Sequence, residues 1–582
     1  MAKHWRIFGH DLAHIAQLEK AASVPPIVAQ LLLRRGIANP DQAQMFLEAR
    51  LNQLRDPESL PDVPLAVKVI TDHLQAGRKI VVYGDYDADG MTATAILYGC
   101  LSRLGADVIY FVPNRLEEGY GLHADTLEQL RKEGADLVIS VDCGIASLTA
   151  VEAARKCGLD VVITDHHTMA DQLPDANAIV HPRLPGHDYP FDGLCGAGVA
   201  FKLAWALCRE MEGTQKVSKE LRDFLVQAVG LTALGTVADV VPLIDENRII
   251  VRQGLLSVQH QPPLGLAELL KVTKLAEKSS LSSEDIGFMI APRLNAAGRL
   301  GQAALGVELL TTESPERATA LAQYLHELNQ SRDKVERSIY LAAKKQAEQE
   351  FDPVGDAAIV LAGEGWHAGV IGIVAGRLAE RYHRPVVLIS LDATGIKPGV
   401  GSCRSPNGLN LYTALTTCSE FLVGYGGHAA AAGLQIAADQ VDAFRGAFCE
   451  FAAGAMSEED QIAEIEIDAE ASLGQLTRTI VEQIEQLAPF GSGNPRPILC
   501  ASGVKLVGEP KKMGGGDRHL SVRLGQHGTK MRAVAFGQAD WAEPMQELAG
   551  PMDIAFRPII NEFRGMRNVE LHLVDWRPCQ SD

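Results

Sequence analysis

Apolar and polar positions alternate in blocks between residues 78 and 165. Short β-branched runs (KIVVYGD, DVIYFVP, DLVISVD, DVVITDHH) are separated by stretches with helical spacing (MTATAILYGCLSRLG, ADTLEQLRKEG, SLTAVEAARKCG). Strand-length apolar runs bounded by glycine or charge, spaced by helices of about 10–15 residues, predict a parallel, doubly wound α/β sheet. The segment LGTVADVVPLIDENRIIVRQGL closes this block near residue 255. From about residue 305 the pattern turns strongly helical. After Pro315 the apolar positions keep helical spacing for roughly 35 residues, about 50 Å of helix. A long, mostly polar helix of this kind either bridges two lobes or dimerises as a coiled coil; a monomer is expected.

A second α/β block starts at AAIVLAGEGWHAGVIGIVAGRLAERYHRPVVLIS and runs to about residue 450, where the acidic stretch MSEEDQIAEIEIDAEASLGQL marks a boundary. The remaining residues carry short strand-like runs (PILCASGVKLVGEP, HLSVRLG, KMRAVAFG, MDIAFRPIINEF, VELHLVDWRP), which predict a small β-barrel or sandwich. The expected organisation is an N-terminal segment (1–50), a first α/β domain (51–260), a helical connector (261–350), a smaller α/β domain (351–455) and a β-rich C-terminal domain (456–582).

Composition changes this picture little. A chain of 582 residues with 47% hydrophobic and 22% charged residues fits a soluble protein of several domains. No apolar run approaches the roughly 18 residues that span a bilayer. The N-terminus, MAKHWRIFGHDLAHIAQLEK, has charges where a signal peptide needs an apolar core, so a cytoplasmic address and no membrane partner are expected. The 10 cysteines occur singly, without a CxxC pair, which argues against zinc knuckles and disulfides and for reduced core residues. The net charge of −19 disfavours a nucleic-acid partner unless basic residues cluster locally.

The chemistry is concentrated at strand ends. VVYGDYDADG (81–90) places Asp85, Asp87 and Asp89 at every second position, between an apolar run and a glycine. Two further runs of the same block end in Asp142 and in Asp165-His166-His167, and Asp239 follows the apolar run of TVADVVPL. In a parallel sheet the carboxyl ends share one edge, where ligands bind. Taken singly, each element has another explanation: an Asx turn or calcium loop at 85–90, a helix cap at Asp142, an incidental His pair. A calcium loop, however, wants a glutamate near its twelfth position, and here a core helix follows instead. So many acids on one edge cannot all stay ionised without cations. Aspartate with histidine suits Mn²⁺ or another first-row divalent ion, and five or six such ligands imply two ions. Paired ions of that kind activate water and stabilise phosphorus in phosphoester hydrolysis.

DYDADG (85–90), Asp142 and the DHH triplet (165–167) resemble the DHH phosphoesterase superfamily, and GYGGHAAAAGL (424–434) resembles the signature of its companion DHHA1 domain. RLNAAGRLG (293–301), GWHAGVIGIVAGRLAERY (365–382), GSCRS (401–405) and LAPFGSGNPRP (487–497) narrow the resemblance to the RecJ exonucleases, over nearly the whole chain and in the expected order. That resemblance implies two Mn²⁺ or Mg²⁺ ions on Asp87, Asp89, Asp142, His166 and Asp239, with Asp142 bridging. It places His167 beside the scissile phosphate, so that Asp142 and His167 carry the catalysis. Many superfamily members have a histidine at the position of Tyr83; here Asp85 takes the metal-facing role. The implied activity is 5′-to-3′ hydrolysis of single-stranded DNA to 5′-mononucleotides, in recombination, base-excision repair and mismatch repair. The implied partners are a helicase and single-strand-binding protein.

For holding DNA, the glycines of GYGGHAAAAG would let backbone approach a ligand, with His428 leading into a helical alanine run whose amides point at phosphate; a tight packing turn is the alternative. Arg377, Ser402 and Arg404 offer donors for phosphate oxygens, although a surface ion pair is the default for any one arginine. The resemblance implies that Arg115, Ser402 and Arg404 recognise the 5′ end, that His428 contacts phosphate, and that Arg293 and Arg299 line the path between the lobes. The β-rich region resembles an OB fold, with Phe536, Trp541 and Phe556 as aromatics and Lys511, Lys512, Arg518 and Lys530 as cations; core packing is the default for each aromatic, and none is assigned to the site. Two other readings stay open: a DHH phosphodiesterase for short oligonucleotides or cyclic dinucleotides, and a catalytically silent single-strand-binding scaffold.

Overall fold

The computed structural model describes residues 3–114, 119–213, 217–352, 355–406, 408–457, 460, 462–548, 550–563 and 565–579. The chain opens with a short strand, β1 (His4–Ile7), and three helices, Leu12–Ala22, Pro26–Arg34 and Pro40–Glu48. The first sheet follows with β2 (Ile80–Tyr83), β3 (Val108–Phe111), β4 (Leu137–Val141), β5 (Asp160–Thr164) and β6 (Ala178–Val180). Its order is β3-β2-β4-β5-β6 and every pairing is parallel. Strands β2 and β4 are buried throughout, which is why their sequences read as apolar runs, broken only by Ser140, rather than alternating ones. The strand order reverses between β2 and β4, so the crevice of the switch point opens where Asp85 and Asp142 follow those strands.

The helices Ala88–Arg103, Gly196–Glu212 and Lys219–Ala238 pack together behind this edge, and Asp245–His260 packs on the last of them. Lys219–Ala238 has the length and composition of a membrane span, yet 61% of that stretch is buried inside the molecule, as befits a core helix. The connector is not separate from this lobe. Leu266, Ile286, Leu294 and Leu309 belong to its core, and so do Leu321 and Leu325 of the long helix Pro315–Glu350. The far half of that helix gives Ile339, Ala343 and Ala347 to the core of the second lobe. One continuous helix of 36 residues thus joins the two lobes, as its sequence spacing predicts.

The second lobe holds β7 (Ile359–Glu364), β8 (Val386–Leu391), β9 (Gly399–Arg404), β10 (Leu422–Gly427) and β11 (Ala431–Ile436), in the order β10-β11-β9-β8-β7. Only β7 and β8 run parallel. This corrects the expectation of a helix after His428. Ala429 and Ala430 lie in the bend before β11; Ala431 and Ala432 enter it, and Ala432 pairs with both Cys403 of β9 and Gly427 of β10. Cross-strand hydrogen bonds override alanine's helical preference.

The C-terminal region adds β12 (Glu464–Ile467), β13 (Ala469–Glu470), β14 (Leu499–Leu506), β15 (Lys511–Met513), β16 (His519–Gln526), β17 (Thr529–Ala535), β18 (Met552–Phe563) and β19 (Met566–Pro578). Pairings run β14–β18, β18–β19, β19–β17, β17–β16 and back from β16 to β14, a full circle of five strands. The first 50 residues do not stand alone. β1 pairs in parallel with β12, and Ile15, Leu18, Leu31 and Leu32 share one core with Leu499, Leu520 and Phe556 of the barrel. Three short amphipathic helices cannot bury their apolar faces by themselves, so they close one side of the barrel.

Candidate metal centre

The DYDADG stretch is shaped by the turn from β2 into the helix Ala88–Arg103. Asp87 caps that helix, accepting from the Asp89 and Gly90 amides at 2.9 and 3.0 Å. A β-carbon at residue 90 would lie 2.6 Å from Asp85 Cβ, so only glycine lets the loop fold this tightly. Asp89, in the first turn, is buried and accepts from the Gly196 and Ala197 amides at 2.7 and 3.0 Å, at the start of the helix Gly196–Glu212. That N-terminus favours its negative charge. Asp142 follows β4 with a left-handed φ of 62° and is also buried. Asp239 caps the carboxyl end of Lys219–Ala238.

These acids and His166 meet in one place. His166 Nε2 is 3.1 Å from Asp142 Oδ1, 3.6 Å from Asp239 Oδ2 and 3.9 Å from Asp89 Oδ2. Donor atoms of Asp89, His166 and Asp239 lie within 4.8 Å of one another, and so do those of Asp85, Asp87 and Asp142. Both His166 Nε2 and Asp142 Oδ1 are buried without a hydrogen-bond partner, an arrangement that costs free energy unless a cation completes it. Asp142, His166 and His167 form a third such group that overlaps these two, and the donor set of carboxylate oxygens with imidazole nitrogen fits Mn²⁺ or Mg²⁺. Burial, then repulsion from Asp89, Asp87, Asp85 and Asp239, raises the Asp142 pKa well above the usual range. Asp239 is pushed up to about 8 by burial and by Asp89 and Asp87. His166 is pushed down to about 4, chiefly by burial, which keeps its imidazole neutral and able to bind metal.

Asp165, the first residue of DHH, faces away from this cluster. Its Oδ1 accepts from His167 Nδ1 at 2.8 Å and from the His166 and His167 amides; its Oδ2 accepts from the Ile145 amide. Burial opposes its charge, but the hydrogen bond and charge of His167 outweigh it and hold the pKa down at about 2. His167 is in turn raised to about 9: burial lowers it, and Asp165, Asp239 and Asp87 more than compensate. Tyr120 completes the arrangement, its hydroxyl 2.9 Å from His167 Nδ1 and 3.2 Å from the Asp142 carbonyl. The sequence offered one sign of Tyr120, an aromatic between two glycines just beyond a strand end, in EEGYGLH.

A cavity of about 360 Å³ opens beside the carboxylates, lined by Asp85, Asp87, Tyr120, His167, Asn295 and Arg299 among others. Asn295 accepts from the Ala88 amide at 2.8 Å, a role its sequence did not announce. Arg299 donates to the Gly369 carbonyl of the second lobe at 2.7 Å and so stands where the lobes meet. Arg293 is placed differently. It is buried, bonds His326 Nδ1 on the long helix at 3.1 Å and donates to the Met289 carbonyl. Arg377 is engaged by the same helix, 2.7 Å from Glu336 and over the Tyr340 ring. On the second lobe Arg404 donates to Ser402 Oγ at 3.0 Å, and His428 sits in the β10–β11 turn, its amide bonded to the Ala431 carbonyl. Arg115 lies outside the described residues. Of the barrel aromatics Phe556 is core and Trp541 packs against it, whereas Phe536 is 55% exposed, its ring 5.4 Å from that of His519 and 5.0 Å from that of His572. Lys530 and Arg523 line a barrel groove together with Arg478 and Arg532, which are paired with Glu482 and Glu570.

A parallel α/β lobe with acids and histidines at its switch point, tied by a long helix to a smaller mixed-sheet lobe, defines a two-lobed phosphoesterase of the DHH class. Family models match accordingly: the DHH family N-terminal domain over residues 79–229, the DHHA1 domain over 355–465 and the RecJ OB domain over 467–575. The chain belongs to the RecJ family. It is 35% identical over 572 residues to the single-stranded-DNA-specific exonuclease RecJ of Bacillus subtilis, covering 98% of this chain and 70% of that one. The crystal structure of RecJ from Thermus thermophilus in complex with Mn²⁺ superposes with a TM-score of 0.83 at 31% identity, covering 99% of this chain and 80% of that one. The same protein in complex with Mg²⁺ gives a TM-score of 0.78 at 30% identity, covering 99% of this chain and 79% of that one.

Proposed function

We propose that the chain is a metal-dependent exonuclease that hydrolyses single-stranded DNA from the 5′ end, releasing 5′-mononucleotides in recombination and repair. The observation that carries this reading is the pair of donor groups meeting at Asp142 and His166, in a chain whose relatives are named as single-stranded-DNA-specific exonucleases. Asp85, Asp87 and Asp142 form one ligand group; Asp89, His166 and Asp239 form the other. Two divalent cations, Mn²⁺ or Mg²⁺, supply Lewis acidity and the activation of water.

The protein's own residues do the rest. Asp165 fixes the His167 ring through Nδ1 and leaves Nε2 for the substrate. From there His167 steadies negative charge on the phosphate and passes a proton to the departing 3′ oxygen as the new P–O bond forms. The Tyr120 hydroxyl lies against the same nitrogen, Nδ1, and adds to the hold on the ring. Arg299, at the junction of the lobes, neutralises backbone charge along the path, and Arg115, Ser402, Arg404 and His428 are assigned to the 5′ end and its phosphate. Arg293 and Arg377 hold the connector in place, since their guanidiniums are committed to the long helix and its neighbourhood. Phe536 and the cations of the barrel groove give the strand a stacking surface and positive charge before it reaches the lobes. The barrel also disfavours a preference for dinucleotides, which would need no such surface. We place the protein in the cytoplasm as a monomer, working with a helicase and a single-strand-binding protein.

The test is product analysis on end-labelled single strands of graded length, with Mn²⁺ and with chelator, beside a blunt duplex and a dinucleotide. Mononucleotides from the 5′ end of long strands, with the duplex spared, are expected. Turnover of the dinucleotide alone would overturn the assignment.

A further inference from the structure

The edge strand β6 ends in a turn that reaches back to the metal centre. His181, Pro182, Arg183 and Leu184 make this turn, closed by a 3.2 Å bond from the Leu184 amide to the His181 carbonyl, with proline at the second position, where its ring fixes φ. β6 pairs in parallel with β5, and the Asp165 amide donates to the Val180 carbonyl at 3.1 Å, so the turn runs beside the DHH triplet. His181 is buried. Its Nδ1 accepts from the Arg183 amide at 3.0 Å, which leaves the ring proton on Nε2, and Nε2 donates to the His167 carbonyl at 2.9 Å. The Arg183 guanidinium, on the exposed side of the turn, donates to the His166 carbonyl.

The two histidines are therefore held at every main-chain polar group. Asp165 Oδ1 takes both amides, at 2.7 and 3.1 Å, and the turn after β6 takes both carbonyls. With the backbone fixed from both sides, only the side-chain torsions are left to direct each ring. We propose that His181 and Arg183 are positioning residues, an inference that rests on the nuclease reading above. His181 fixes the peptide that aims His167 at the phosphate, and Arg183 fixes the one that aims His166 at the cation. The two act separately because the rings do different work. His166 Nε2 stands among Asp142, Asp239 and Asp89, whereas His167 lines the cavity beside them. Among the described residues that line this cavity, neither His181 nor Arg183 occurs, so both act through the histidines. Groups that orient metal ligands and their neighbours in this way are felt in affinity and in rate.

The experiment pairs steady-state hydrolysis of a single strand at saturating Mn²⁺ with titration calorimetry of Mn²⁺, on wild type, His181→Ala, His181→Gln, Arg183→Ala and Arg183→Lys. Melting in chelator reports folding. His181→Ala is expected to lower kcat about 10- to 100-fold while KM and Mn²⁺ affinity hold. His181→Gln, whose amide reaches about as far as Nε2, recovers most of that loss. Arg183→Ala is expected to weaken Mn²⁺ binding about tenfold and to keep kcat once metal saturates. Arg183→Lys, which retains a cationic donor, restores the affinity. A merely structural role would move kcat, KM, affinity and melting together, and that result in either alanine variant overturns the proposal. So does wild-type kcat in His181→Ala, or wild-type Mn²⁺ affinity in Arg183→Ala; a raised KM in the latter would assign Arg183 to the strand instead. Because Arg183 is exposed, its variants carry the test should His181→Ala fail to fold. Wild type inactive on every strand would overturn the nuclease reading, while calorimetry of the Arg183 variants would still decide whether that residue orients His166.

Discussion

His166 Nε2 lies 3.1 Å from Asp142 Oδ1, both atoms buried and neither hydrogen-bonded. A folded chain tolerates such a pair when a cation joins it, and in metal-free protein the same carboxylate is held against burial and four neighbouring acids.

Asp142→Ala should therefore act on chemistry and stability in opposite directions. Metal-dependent hydrolysis is expected to fall by about 10³-fold or more, the loss of several kcal/mol of charge stabilisation. In chelator the variant should melt no lower than wild type, because a repelled carboxylate has gone. A melting temperature several degrees lower in chelator would contradict this account of the site.

Gly196 offers a subtler handle. A β-carbon there would lie 2.5 Å from Asp142 Cγ, so Gly196→Ala must displace the carboxylate or the helix start that holds Asp89. Titration calorimetry with Mn²⁺ should show affinity weakened by about 10- to 100-fold, the cost of disturbing groups that orient ligands. Unchanged Mn²⁺ affinity in a folded variant would mean that the backbone adjusts freely.

The Asp165–His167 pair predicts a pH window for the metal-free protein. Asp165, depressed to about 2 from 3.8, contributes stability that is present above pH 3.8 and lost as pH falls through about 2. His167, raised to about 9 from 6.5, contributes stability that is present below pH 6.5 and lost as pH rises through about 9. Denaturation in chelator should show the pair's full effect between about pH 4 and 6.5, and Asp165→Asn should remove about 2 kcal/mol there. An Asp165→Asn deficit that stays constant from pH 5 to pH 10 would refute the linkage.

Arg248 is buried where three parts of the chain converge. Its guanidinium donates to the Phe46, Leu487 and Gln486 carbonyls at 2.9, 2.6 and 3.1 Å and covers the Phe46 ring. Burial lowers its pKa to about 9. Arg248→Met takes this donor from the Phe46 carbonyl and one of two side-chain donors from the Leu487 and Gln486 carbonyls, which keep Asn494 and Arg252, and a loss of about 2 kcal/mol is expected. Limited proteolysis should then release the N-terminal helices or the barrel before the lobes unfold. Simultaneous loss of all parts at wild-type rates would show that the contact is not what couples them.

Phe536→Ala should raise KM for strands long enough to reach the barrel by about 5- to 100-fold, the range of one base–aromatic stack. Dinucleotide hydrolysis should be unmoved. Equal effects on both substrates would place Phe536 outside the strand's path.

Local pattern was a sound guide wherever burial and period coincide. Strands β2, β4 and β5 carry mainly apolar runs because both faces of a parallel sheet are covered, so their ends, and hence Asp85, Asp142 and the DHH triplet, were legible directly. The long helix was legible for the same reason. GYGGHAAAAG was not, because alanine fits both helix and strand, and pairing with β9 and β10 decides between them.

Residue types along the chain determined the fold class, the two lobes, the barrel and the set of groups available to cations. Which of those groups face one another was decided by tertiary structure. The strand-end position of Asp165 is equivalent to that of Asp142, yet one carboxylate holds His167 and the other meets His166. Arg293 and Arg299 stand six residues apart in one motif, and helix packing sends the first to His326 and the second to the seam between the lobes. The reason is physical: burial and periodicity act on each segment separately, whereas charge and hydrogen bonding at a site depend on segments far apart in the chain meeting within a few ångströms.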